Sequence, residues 1–222
     1  MPRGWIHVAT LASERLLTSI RCYDPCMTAR LPTDVRRLQI ADAALALVAR
    51  DGIASLTTST LARAVGITPG ALFRHFASLD AILEAVAARA DELLRASLPS
   101  RELAPLERLD AFVVARLALA RSERAIPRLV LSEQFTRALP EAARRKLRAG
   151  VRASRDFVRD TLAEARDQGL VRDDLPPEAL ALVVLGTMQM SLLEPTIGRD
   201  RTDVREVLHT LLAPPSSRRT RK

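Results

Sequence analysis

The chain has 222 residues, 48% hydrophobic and 27% charged, a balance that suits a folded globular protein and excludes wholesale disorder. Its net charge of +8 points only weakly to an anionic partner: residues 216–222 alone carry Arg218, Arg219, Arg221 and Lys222, while residues 30–80 hold six arginines against four aspartates. Aromatics make up 3% and the apolar content is mostly Ala, Leu and Val, which favours packed helices; no uninterrupted apolar run approaches the roughly 20 residues that span a bilayer.

Residues 1–32 read as an N-terminal extension, disordered or the product of a misplaced start. Pro2, Gly4, Pro25 and Pro32 punctuate it, and its one periodic piece runs from Val8 to Ile20. It lacks the apolar core and small-residue cleavage site of a secretory signal. The two cysteines, Cys22 and Cys26, cannot close a zinc site by themselves and read as reduced thiols of a cytoplasmic protein.

The first firm helix is predicted over 33–50, with Val35, Leu38, Ala41, Ala44 or Leu45, and Val48 as its apolar stripe, stopped by Asp51-Gly52. The most informative stretch is 57–76. Thr57 or Thr58 can cap a short helix whose Leu61 and Val65 share one face. Gly66 suits a left-handed C-cap, and Ile67 can plug the corner that follows. Thr68 offers a second N-cap with Pro69 at the first helical position, and Leu72 and Phe76 turn back toward the first helix. Gly70, Ala71, Phe73 and Arg74 are left mostly outward. The pattern is a helix-turn-helix with its second helix available for the DNA major groove.

Further helices are predicted over 78–97, 103–122, 127–139, 140–168, 178–193 and 203–212, with no alternating strand segment. The segment 178–193 is apolar nearly all round and therefore needs cover on every side. Pro214 to Lys222 reads as a basic, disordered tail. The chain offers no Gly-rich phosphate loop between strand and helix, no metal-ligand cluster and no Ser, His and acid frame. It is read as a non-enzyme with no cofactor and no metal. His7 and His209 have no context and read as incidental.

Thr57, Leu61, Ala62, Val65, Gly66, Ile67, Thr68, Gly70, Leu72, Phe73, His75 and Phe76 together resemble the helix-turn-helix of the TetR family of bacterial one-component regulators. Met27-Thr-Ala-Arg-Leu-Pro-Thr-Asp34 is similar to the usual start of that family, which favours translation from Met27 over a real N-terminal arm touching DNA through Arg3, Arg15 or Arg21. Phe73 stands where the family usually has Tyr, and Leu79 where it usually has a phosphate-touching Lys; both would remove a polar backbone contact. The resemblance implies an all-α protein: a helix-turn-helix DNA-binding domain over 33–80 (motif 57–76), then a helical effector-binding and dimerisation domain over 81–213. It implies a cytoplasmic homodimer that binds double-stranded operator DNA and responds to a small effector, with no membrane partner.

Within that frame, the hydroxyls and first-turn N–H groups of Thr57 and Thr58 suit a phosphate. Ser59, Thr68, Ala71 and Arg74 are the candidates near base edges, with Pro69 opening the helix that carries Ala71. Gly70 permits close backbone approach, and Phe73 packs on sugar or in the core. His75 contacts phosphate by the family match, or packs between helices. A symmetric dimer implies a palindromic operator and steep salt dependence. Repression is the default action; an activator of the same fold, or a helical interaction module with a helix-turn-helix, is the alternative. Phe112, Arg116, Phe135, Thr187, Met188, Gln189 and Met190 are the candidate effector residues, for a small, largely hydrophobic ligand, with plain core packing as the alternative. Leu180, Val183, Val184, Val204, Leu208 and Leu211 are the candidate dimer interface, implied by the family's pairing through its last two long helices; completing the subunit's own core is the alternative.

Overall fold

Side-chain caps at Thr57, Thr68, Ser78 and Asp203 start four of the helices in the computed structural model, which describes residues 32–131, 133–193 and 203–215. The extension before residue 32, with Cys22, Cys26 and Met27, and the tail from residue 216 lie outside the described residues. The described part is all helical: α1 (Thr33–Asp51), α2 (Thr58–Val65), α3 (Pro69–Leu72), α4 (Leu79–Ala96), α5 (Pro105–Ser122), α6 (Ala125–Leu131), α7 (Glu133–Ala138), α8 (Glu141–Asp167), α9 (Pro177–Leu193) and α10 (Val204–Leu212). Ser78 caps α4, its side chain accepting from the Ala81 amide at 3.1 Å. Asp203 caps α10, accepting from the Arg205 amide at 2.9 Å. Prolines open α3, α5 and α9, where a missing N–H costs nothing.

Two apolar cores organise these helices. The first joins α1 to α4 through Ile40, Leu45, Leu61, Leu72, Phe76, Ile82 and Val86, and recruits Leu129 from α6 and Leu147 from α8. The second gathers Phe112 of α5, Phe157 and Leu162 of α8, Leu180 and Val184 of α9, and Leu208 and Leu212 of α10. The 27-residue α8 thus serves both, its first turns in one core and its last in the other. Its pairing with α4 is the most extensive between any two helices.

One expectation needs correction. Val35 and Leu38 are exposed, not part of the buried stripe of α1. The stripe begins at Ile40 and Ala41, because the first turns of α1 project beyond the core. Within the single subunit the all-apolar segment 178–193 is covered on only part of its circumference: Leu182 and Met190 of α9 are 68% and 52% exposed.

Candidate nucleic-acid interface

The helix-turn-helix is built by its caps. Thr57 and Thr60 form a reciprocal box: the Thr57 hydroxyl accepts from the Thr60 amide at 3.2 Å, and the Thr60 hydroxyl accepts from the Thr57 amide at 3.0 Å. Gly66 ends α2 in the left-handed region at φ 74°, which lets the Ile67 amide reach back to the Ala62 carbonyl at 2.9 Å. A β-carbon would strain that corner. Thr68 then caps α3, accepting from the Ala71 amide at 3.1 Å.

α3 is shorter than an extended rod. Four residues are α-helical, and the backbone then tightens into turns, with the Arg74 and His75 amides donating to the carbonyls of Ala71 and Leu72 at 3.2 and 3.0 Å. Leu72 and Phe76 are buried and anchor this segment from within, leaving its opposite side to solvent. Of the residues singled out from the sequence, Thr57, Ser59, Thr68, Pro69, Gly70, Phe73 and Arg74 are exposed, and Thr58, Ala71 and His75 are half-buried. A β-carbon built on Gly70 would meet nothing within 4 Å, so the glycine leaves open space above the backbone. Phe73 is 46% exposed, which decides against the core alternative for its ring. His75 has a buried Nδ1 with no hydrogen-bond partner. Leu79 packs against the first core, so it is a structural residue here.

Sequence reasoning overlooked Arg37, whose guanidinium lies over the Phe76 ring at 4.9 Å and ties the start of α1 to the end of the motif. Nothing in the 57–76 pattern signals it, because the contact joins separate helices.

The residues assigned to an effector do not form one enclosed cavity. Phe112 is buried and stacks on Phe157 at 5.8 Å between ring centroids. Arg116 lies over Phe112 at 5.1 Å and donates to the Ser154 hydroxyl at 2.8 Å. Met188 is core, whereas Gln189 and Met190 face solvent, because helical spacing turns consecutive residues of α9 in different directions. The side chain of Phe135 lies outside the described residues. Thr187 instead lines an apolar groove of about 470 Å³ with Leu182, Val183, Gly186, Met190 and Val207.

The candidate dimer residues divide in the same way. Leu180, Val184 and Leu208 are buried inside the subunit and have no face left for a second copy. Val183 and Val204 do line the groove, and Leu211 is exposed on α10. Leu182 and Gly186 of α9 were overlooked because an all-apolar helix carries no periodic signal of which side is outward, and Val207 of α10 lines the groove beside them. His209 is not incidental: its Nε2 lies 2.8 Å from Asp110 Oδ1, joining α10 to α5. Among the described residues no group of three potential metal ligands occurs, and no helix is long and apolar enough to cross a membrane.

Comparison with known proteins matches this geometry. The family model for bacterial regulatory proteins of the tetR family covers residues 40–86, and that for a tetracyclin repressor-like C-terminal domain covers residues 102–192. The HTH-type transcriptional repressor Rv1474c of Mycobacterium tuberculosis is 31% identical over 154 residues, spanning 65% of this chain and 74% of that protein. Among solved structures, AibR in complex with isovaleryl coenzyme A and operator DNA aligns with a TM-score of 0.66 at 23% identity, over 81% of this chain and 99% of that one. The TetR family regulator PfmR from Thermus thermophilus aligns with a TM-score of 0.62 at 22% identity, over 78% and 94%.

Proposed function

The chain belongs to the TetR family of bacterial regulatory proteins, as a DNA-binding transcriptional regulator and not an enzyme, and from that premise we propose that it represses transcription as an effector-responsive homodimer on a palindromic operator. The observation that carries the proposal is the outward side of α3: Thr68, Pro69, Gly70, Phe73 and Arg74 are exposed together, and no atom fills the space above Gly70. A backbone bared in this way can approach a base edge, with Arg74 reaching guanine or phosphate and Ala71 offering a methyl to thymine. Thr57, Thr58 and Ser59 at the start of α2 supply hydroxyls and first-turn amides for the flanking phosphates, and His75 a further donor.

The homodimer is supported by the apolar groove along α9 and α10, a surface that a soluble chain normally covers. Two copies related by a two-fold axis would read two half-sites a helical turn or a multiple apart. Repression is the reading favoured by the relative of 31% identity. Effector response requires a ligand with higher affinity for the conformation that does not hold DNA. Selecting bound duplexes from a random pool tests the proposal. An enriched palindrome whose retention falls steeply with salt supports it; no enrichment would leave only a helical interaction module.

A further inference from the structure

We propose that the effector is an amphiphilic anion, an apolar chain bearing a phosphate or carboxylate head, and that it lies in an arginine-lined groove where α6 and α7 face α8. The proposal rests on the ligand-responsive reading above and gives that ligand a chemical class. The groove holds about 330 Å³, within the usual range of small-molecule sites, roughly 300–1,000 Å³. Arg144, Arg148, Arg152 and Arg155 line it, one or more from each successive turn of α8. Val130, Leu147 and Val151 supply an apolar surface among them. A bare cationic patch would suit any polyanion; the apolar surface selects one that carries a hydrocarbon chain.

The arginines are under-neutralised, in contrast to others on the same helix. Like charges four residues apart repel, yet residues 142–155 contain no acidic side chain. Further along α8, Arg159 is paired with both Asp156 and Asp160, at 3.1 and 2.8 Å. Among the described residues, Arg148, Arg152 and Arg155 have no ion pair, and Arg144 has only Glu141 at 3.6 Å, with its buried Nε lacking a hydrogen bond. Arg116 of α5, outside the groove lining, adds a further cation against this part of α8. It holds Ser154, the neighbour of Arg155, but its buried Nη1 has no partner. Burial without a carboxylate pushes Arg116 down to about 10. An anion arriving here meets donors that protein groups have not already saturated.

The position suits a switch as well as a binding site. α6 packs on α1 and α8 packs on α4, and Leu129 and Leu147 belong to the core that supports the helix-turn-helix. A chain laid against Leu147 and Val130 therefore presses on the helices that aim α3.

The test uses the full chain, the selected operator duplex and probes kept below micelle formation: dodecyl phosphate and dodecanoate, with 1-dodecanol and pyrophosphate as controls. Calorimetry reads binding, and fluorescence anisotropy reads release of the duplex. The expected result is that at least one anionic amphiphile binds and releases the operator while neither control does; the tighter of the two identifies the head group. The R148E/R152E double variant, at two exposed positions, is expected to bind that probe about tenfold more weakly or worse. Its probe-free operator affinity and melting temperature should stay unchanged, as should all properties of the exposed control R121E. The proposal is overturned if 1-dodecanol binds as well as the anions, or if the double variant binds the probe like the parent. It is also overturned if the variant loses operator affinity without probe, since the arginines then contact the duplex. A parent chain that holds its operator but ignores every probe refutes the effector class and leaves the regulator standing. A parent that selects no duplex refutes the regulator, and calorimetry alone then decides whether the groove takes the anion.

Discussion

Gly70 occupies the second position of α3 with nothing within 4 Å of where its side chain would begin, so its role is on the outside of the subunit. Replacing it with Glu would put bulk and negative charge where the proposed interface brings a phosphodiester, while acidic residues favour the first turn of a helix. Gly70→Glu should therefore fold with an unchanged melting temperature. It should lose about 3 kcal/mol of operator affinity, near a hundredfold, the scale of a like charge forced into an interface. An electrophoretic shift that survives the change would place the DNA-reading surface elsewhere. Glu123 gives a residue-scale prediction about pH. Burial, and then the negative charge of Asp42, push its carboxyl above the usual range, with Arg89 opposing them. A carboxyl raised on folding penalises the native state when ionised, so the penalty is present at neutral pH and fades as pH falls through the raised value and then the ordinary one. Glu123→Gln should raise the melting temperature by about 2 °C at pH 7.5 and by less at pH 4.5, as a thermal scan at each pH would measure. The caps were legible at this scale: Thr57, Gly66, Thr68 and Ser78 announce themselves because each satisfies its neighbours within four residues. The Arg37–Phe76 and His209–Asp110 contacts were not, since their partners are distant in sequence.

Between elements, α4 and α8 approach each other closely at Gly150. A β-carbon there would come within 2.5 Å of Asp91 Oδ1 and 3.4 Å of its Cα, and that carboxylate is held by Arg95 at 3.0 Å. Gly150→Leu should cost about 1–3 kcal/mol by overpacking, visible as a lowered melting temperature. A variant with parental stability would mean that the two helices part without penalty. Helix existence was readable here from periodicity and prolines, and α8 lies within a residue of its expected ends. Which face each helix buries was less readable. Val35 and Leu38 continue the apolar pattern of α1 beyond the core that gives the pattern meaning. In α9 every side is apolar, so only its neighbours decide that Leu180 and Val184 point inward and Leu182 and Met190 outward.

For the whole molecule, the uncovered surface on α9 and α10 is the feature that asks for a second copy. Leu182→Glu with Met190→Glu alters two exposed side chains and should leave the subunit folded. Light scattering should then report a monomer, and operator affinity should fall by about 10²–10⁴-fold as the advantage of two linked reading heads is lost. A double variant that remains dimeric would assign the groove another role. The family was legible in the spacing of residues 57–76, whereas the arginine groove required the fold, because helices from different stretches of chain make its walls.

The helix that runs through both cores has a consequence for how this protein can be divided. Leu147 at one end completes the packing beneath α1 to α4, and Phe157 and Leu162 further along complete the packing of α5, α9 and α10. The portion that reads a duplex is thus finished by residues encoded well beyond it in the chain, Leu147 together with Leu129 and Leu139. It is no detachable cartridge: severed after Ser97, it would expose an unfilled floor, and exchange between related chains must carry the start of α8 along with the motif.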